Sequence, residues 1–266
     1  ACALQPSDFH TSHAKDLESG LAWRQINQLY QYFFKCVRGR TRRDMTAMGC
    51  VARKDGAPLL RRRVVSTAAL YFRWFYADDG FAGADPRALS LAALFLASKV
   101  EEMPVHAKGL MHTATTLGSS GRWHAPAALA AVLAAEAQLV AKVNVALLVF
   151  DPIPSLLEGL TAAGLQANQA VTRTAWWGVE ALLNDSYLSR CHLLHPPHTI
   201  ALACIVLAAG AHGIDIEEWV AGLQADHAQV YEVGRSLLGT LAECSATITP
   251  DTCLRYLALL RLPVSP

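Results

Sequence analysis

The stretch from Asp85 to Pro104 constrains this chain more than any other. Asp85 is a helix-capping residue type, Pro86 suits the first helical position, and Met103-Pro104 closes the segment. That punctuation predicts one helix over Arg87 to Glu102. Ten of the thirteen residues from Ala88 to Val100 are apolar, leaving only Ser90, Ser98 and Lys99. A helix apolar on nearly every face belongs at the centre of a bundle rather than on its surface. Its alanines (Ala88, Ala92, Ala93, Ala97) leave room for neighbouring helices to approach closely.

The pattern recurs. Pro86 to Ser98 can be laid over Pro197 to Ala209 at an offset of 111 residues, and both copies put Pro at the start of an apolar helix. The recurrence suggests two helical bundles of similar build, although Pro followed by Ala and Leu is common in helical proteins generally. The residue equivalent to Lys99 in the second copy is Gly210. Asp151-Pro152-Ile153-Pro154 breaks the pattern just after Val143 to Phe150 and reads as a domain junction. Ala125 to Ala137 reads as a helix, Gly118 to Gly121 as a loop tip, and Thr249-Pro250-Asp251 as the start of a last helix ending before Pro263. Alternating strand patterns are essentially absent, so the expected fold class is all-α. The expected organisation is an N-terminal segment (1–24), a first bundle (25–150, with a basic insertion near 38–50), a second bundle (151–248) and a C-terminal helix (249–266).

With 266 residues, 53% of them hydrophobic and 17% charged, the chain is neither disordered nor fibrous. The longest apolar run, Ile200 to Ala211, is 12 residues and too short to cross a bilayer, so no membrane partner is expected. No secretory signal is visible in Ala1 to Pro6, which lack a basic or apolar signal region. The seven cysteines (2, 36, 50, 191, 204, 244, 253) have no framework spacing, which suits reduced thiols in a cytosolic or nuclear protein.

The net charge of +1 creates no global field for nucleic acid or membrane, but charge is unevenly placed. Lys35 to Arg63 carries ten basic and two acidic residues. Arg38-Gly39-Arg40-Thr41-Arg42-Arg43 looks like an exposed loop, which fits a solvated insertion and equally a nuclear-import or phosphate-contacting patch. Cys191-His192, His195, His198 and Cys204 suggest metal ligands by type. Pro196-Pro197 separates the two later histidines and Cys204 lies in an apolar helix, so no metal is expected there. No nucleophile elbow, phosphate-binding glycine loop or His-Glu-x-x-His is present. Glu101 and Glu102 are adjacent, so on a helix they point about 100° apart and cannot share one substrate face. The chain is not expected to be an enzyme. Lys99 is the most informative polar residue. As a last-turn cation it would complement the helix dipole and pair with Glu102; rising from an apolar platform, it could instead bind carbonyl oxygens of a docked partner.

Phe95-Leu96-Ala97-Ser98-Lys99-Val100-Glu101-Glu102 resembles the most characteristic stretch of the cyclin box. The two boxes of the cyclin family would also explain the repeat. Within the family the chain looks most like the branch belonging to the Mediator kinase module. Leu60 to Tyr76, Leu148 to Pro152 with Leu156-Leu157, and Asn184 to Tyr187 followed by Cys191, Leu193 to Pro197 and Ile200 to Cys204 carry that likeness, with Phe9, Ser12 and His13 at the N-terminus. The resemblance implies two tandem cyclin boxes with flanking N- and C-terminal helices, no cofactor, a Mediator-type cyclin-dependent kinase as partner and a nuclear location. It implies that Lys99 and Glu136 are the family's paired Lys and Glu that grip the kinase, with Phe95 and Glu102 beside them. Phe9, His10 and Asp185 would face another subunit of the Mediator kinase module; His10 departs from the aromatic usual after that Phe. The basic stretch and Gly118 to Pro126 also depart from the family pattern. Other readings are a subunit of a kinase-activating complex, whose branch has a similar junction, a cyclin-fold factor binding nucleic acid through the basic segment, and a metal-dependent enzyme built on the Cys191 to Cys204 cluster. Direct nucleic-acid binding is not expected.

Overall fold

The structure, a computed structural model, describes residues 13–38, 62–119, 128–143, 147–162, 179, 181–244 and 249–260. The described elements are helical throughout. They are α1 (Ala14–Glu18), α2 (Trp23–Arg38), α3 (Arg62–Asp79), α4 (Pro86–Val100), α5 (Ala107–Ser119), α6 (Leu129–Val143), α7 (Ile153–Ala162), α8 (Cys191–Leu194), α9 (Pro197–His212), α10 (Glu217–Ala221), α11 (His227–Cys244) and α12 (Pro250–Leu259). The described residues divide into two compact units, one holding residues 13–149 together with the C-terminal helix, the other residues 150–244.

In the first unit α4 is the central element, for the reasons its sequence gives. The Asp85 carboxylate accepts the Arg87 backbone N–H at 2.9 Å, and Pro86 fills the first turn. Arg87 returns its Nε to the same carboxylate at 3.0 Å, and that hydrogen bond holds its guanidinium above the ordinary range. Leu89, Leu91, Leu94 and Leu96 are all buried, each contributing roughly 1.5–3 kcal/mol by removal from water. Ser90 and Ser98, also buried, donate to the carbonyls of Arg87 and Phe95 and so carry no unmet polar cost. The core around α4 takes in side chains from α2, α3, α5 and α6. Helix α12 joins it too: Cys253, Leu257 and Leu260 are buried there, and the Tyr256 hydroxyl donates to Gln28 Oε1 at 3.2 Å. Thr249 caps α12 by accepting the Thr252 N–H.

Helix α1 is fixed by a buried carboxylate. Asp16 Oδ2 accepts from His13 Nδ1 at 2.6 Å and from the Phe81 backbone N–H at 2.8 Å, while His13 Nε2 lies 3.2 Å from the Tyr30 hydroxyl. The rings of Tyr30, Phe72, Tyr76 and Phe81 pack edge-on or tilted beneath it.

The second unit repeats the plan around α9, which packs between α7 and α11 with Val179 and Leu183. Helix α7 lies close against α9 at Gly159, where a Cβ would fall 2.8 Å from Ile205 Cδ1 and that side-chain end would have to shift. Both central helices end alike. In α4 the Met103 N–H reaches the Ser98 carbonyl at 2.8 Å and Glu102 N–H the Lys99 carbonyl at 3.2 Å; in α9 Ile214 reaches Ala209 at 2.9 Å and Gly213 reaches Gly210 at 3.3 Å. This is the paired-bond reversal that ends many helices and needs one residue in the left-handed region. Here those residues are Glu102 (φ 56°) and Gly213 (φ 65°).

Several sequence expectations shift at element ends. Helix α4 stops at Val100, because the left-handed turn at Glu102 ends it before the carboxylate pair. Helix α6 runs six residues past the expected Ala137, to Val143, since Leu139 and Val143 continue its buried face. Gly118 and Ser119 belong to α5 rather than to a loop. Arg38 ends α2, while Gly39 to Arg61, with most of the basic segment, lies outside the described residues.

Candidate functional site

At the C-terminal end of α4, Lys99 is partly exposed (43%) and Glu136 of α6 mostly buried (14%), and the two side chains form an ion pair. The Lys99 ammonium also sits 4.2 Å from the Phe95 ring centroid, one turn back on α4. A cation held between an aromatic face and a carboxylate keeps one orientation and leaves part of its hydrogen-bonding capacity outward. The local pairing of Lys99 with Glu102 expected from spacing is not formed. The left-handed turn takes Glu102 out of helical register with Lys99, and its side chain is exposed.

Beside this pair, α6 presents Ala130, Leu133, Ala134, Ala137 and Ala141 outward, with Val132, Ala135, Leu139 and Val143 inward. Leu133 is 44% exposed, one turn from Glu136. This face is not legible in the sequence. An Ala- and Leu-rich helix gives no phase by itself, and the outward alanines are recognisable only once the inward ones are assigned.

A second polar group underlies the site. Glu101 accepts from the Thr67 hydroxyl at 2.7 Å and pairs with Arg63 Nε at 2.6 Å. One turn on, the Tyr71 hydroxyl donates to the Leu147 carbonyl at 2.5 Å. Burial, with the negative charge of Glu101 added, pushes the Tyr71 phenol up to about 12.

Of the other residues singled out, Phe9 and His10 lie outside the described residues. Asp185 is partly buried in the second unit, where its charge helps raise the Cys204 thiol. Cys191 and Cys204 are core residues of that unit. His192 stacks on Tyr187 at 3.9 Å and bonds Ser186 through Nε2 at 2.6 Å. His198 is exposed on the first turn of α9. Among the described residues no three His, Cys, Asp or Glu side chains are grouped so as to hold a metal ion, and no helix is long and apolar enough to cross a membrane.

Two all-helical units, each built around an apolar central helix that begins on a proline, fit the build of a cyclin. The chain belongs to the cyclin family. It is 33% identical to Cyclin-C1-1 of Oryza sativa subsp. japonica over 67% of this chain and 66% of the rice protein. It is 34% identical to Cyclin-C1-1 of Arabidopsis thaliana over 67% of this chain and 68% of that one. Against Cyclin-C of Rattus norvegicus it is 31% identical, over 67% of this chain and 64% of the rat protein. The chain is therefore cyclin C-like, matching about two thirds of the length of these relatives. No family model matches it. Its fold is similar to a chain in the CAK complex of Chaetomium thermophilum bound to ATP-γ-S (TM-score 0.61, 17% identity, 96% of this chain and 78% of that chain). It is also similar to a chain of the yeast TFIIK (Kin28/Ccl1/Tfb3) complex (TM-score 0.57, 16% identity, 87% and 92%).

Proposed function

We propose that this chain is the regulatory subunit of a transcriptional cyclin-dependent kinase, acting in the nucleus within the Mediator kinase module. The observation that carries the reading is the Lys99–Glu136 pair, seated over Phe95 and bordered by the small-residue face of α6, in a cyclin C-like chain. Phosphoryl transfer belongs to the partner. A protein kinase is active when its strand Lys pairs with a Glu on a mobile helix and its activation loop is ordered. A rigid apolar face that binds this helix only in its inward position shifts the kinase toward that state.

Each residue then has a task. The alanines of α6 let the kinase helix approach closely, Leu133 supplies apolar area, and Lys99 donates to kinase backbone carbonyls. Glu136 and Phe95 hold that ammonium in place, and Glu102 offers an outward carboxylate to a basic side chain. Phe9, His10 and Asp185 are assigned to contact a further subunit of the module.

Co-purification from the native source tests this reading, with wild type beside the Lys99→Ala/Glu136→Ala variant. The expected result is a kinase accompanied by Mediator subunits, depleted by the variant. A kinase without Mediator subunits moves the chain to a kinase-activating complex of the kind its structural neighbours belong to. No kinase at all overturns the proposal.

A further inference from the structure

Helix α3 lays three polar side chains along one face at successive turns: Arg63, Thr67 and Tyr71. The first two grip Glu101, directly after the helix that carries Lys99, and the third donates to the Leu147 carbonyl, four residues beyond the last residue of α6. The member of the docking pair on α4 thus comes from a helix fastened at its C-terminal end to a ridge of α3.

The grip is best placed at Thr67. Arg63 is 56% exposed, so solvent screens its ion pair with Glu101. Thr67 is 1% exposed, its hydroxyl is a charge-assisted donor to a carboxylate that is itself mostly buried, and it has no surface with which to touch a partner. The segment it steadies needs steadying. Glu101 leads directly into Glu102, a non-glycine residue in the left-handed region, which is a conformation that persists only where its surroundings hold it.

We infer that Thr67, acting through Glu101, is a positioning residue for kinase docking: it fixes the end of α4 so that Lys99 meets Glu136 and the kinase carbonyls in one geometry. This rests on the docking role proposed for Lys99.

The test measures the affinity of the full chain for its Mediator-type cyclin-dependent kinase in four proteins: wild type, Thr67→Val, Lys99→Ala and the double variant. Thr67→Ser is the conservative control. Thr67→Val is expected to weaken binding about 5- to 20-fold, as loss of one charge-assisted hydrogen bond allows. Thr67→Ser is expected to restore affinity to within roughly twofold, because the hydroxyl is retained. In the Lys99→Ala background Thr67→Val should weaken binding no further, since there is no ammonium left to position. Equal weakening in both backgrounds means general structural damage and overturns the inference, as does full affinity in Thr67→Val while Lys99→Ala binds poorly. Full affinity in Lys99→Ala overturns the docking site itself, and the positioning role with it.

Discussion

Helices α4 and α9 both begin on a proline and both end in the same pair of hydrogen bonds, at positions 111 residues apart. Their cores correspond as well, with Leu94 and Ile205 at matching positions and both buried. Their ends do not. Where α4 has Lys99, α9 has Gly210, exposed in open space, and where α4 turns left-handed on Glu102, α9 does so on Gly213. Glycine is the inexpensive residue for that turn, and a side chain there costs about 1–2 kcal/mol. The second copy has the ending that stability alone would select. The first carries a cation, an aromatic ring and a strained carboxylate in the same place, and conformational strain of this kind gathers where a surface has work to do.

The comparison can be broken most forcefully in the cores. Leu94→Ala and Ile205→Ala should each destabilise the protein by roughly 2–5 kcal/mol in urea unfolding, since each leaves a cavity in a central helix. Only Leu94→Ala should also impair kinase binding; equal impairment by both would mean that docking is not confined to the first copy. Next comes the handle itself. Lys99→Ala should cost about 2–5 kcal/mol of kinase affinity, read as a change in Kd, while Gly210→Ala should leave the Kd unchanged. The two turns sharpen the contrast at a smaller scale. Gly213→Ala should lower stability by roughly 1 kcal/mol, because its φ of 65° favours glycine and no neighbour would otherwise object. Glu102→Gly should be neutral or raise the Tm slightly while weakening kinase binding.

The smallest effect concerns one buried thiol in each unit. Cys204 and Cys253 are both pushed up to about 12, first by burial. In Cys253 the guanidinium of Arg87 pulls the other way, with Asp85 opposing it, whereas in Cys204 the neighbours Cys191 and Asp185 add to the rise. Folding favours the neutral thiol, so this part of the stability is complete below pH 9 and is lost as pH climbs from 9 toward 12, where only the unfolded thiol has ionised. At pH 8 a thiol reagent should label neither residue until urea is added. Cys204→Ala should flatten the loss of stability above pH 9.

What could be read in the chain beforehand follows how local the cause is. Asp85-Pro86 announces the start of α4 because a cap and a fixed φ act within one turn. Lys99 is legible as the polar end of an apolar helix, and family resemblance supplied Glu136 as its mate. Spacing alone offered Glu102 instead, since nothing in a glutamate warns of a left-handed turn. The grip of Thr67 on Glu101 and of Tyr71 on Leu147 joins residues distant in sequence, and no periodicity encodes such pairs. The apolar spacing of Cys253, Leu257 and Leu260 says that α12 needs a core without saying which.

Helix α12 has a consequence in time as well as in space. The Tyr256 hydroxyl reaches Gln28 across 228 residues of chain, so the helix that completes the first bundle is translated after the whole of the second. At about 5–20 residues per second, the first bundle emerges from the ribosome and waits on the order of five to twenty seconds before its last helix exists. During that interval the groove meant for Cys253, Leu257 and Leu260 stands open, and its apolar lining is exposed to whatever chaperone or partner arrives first.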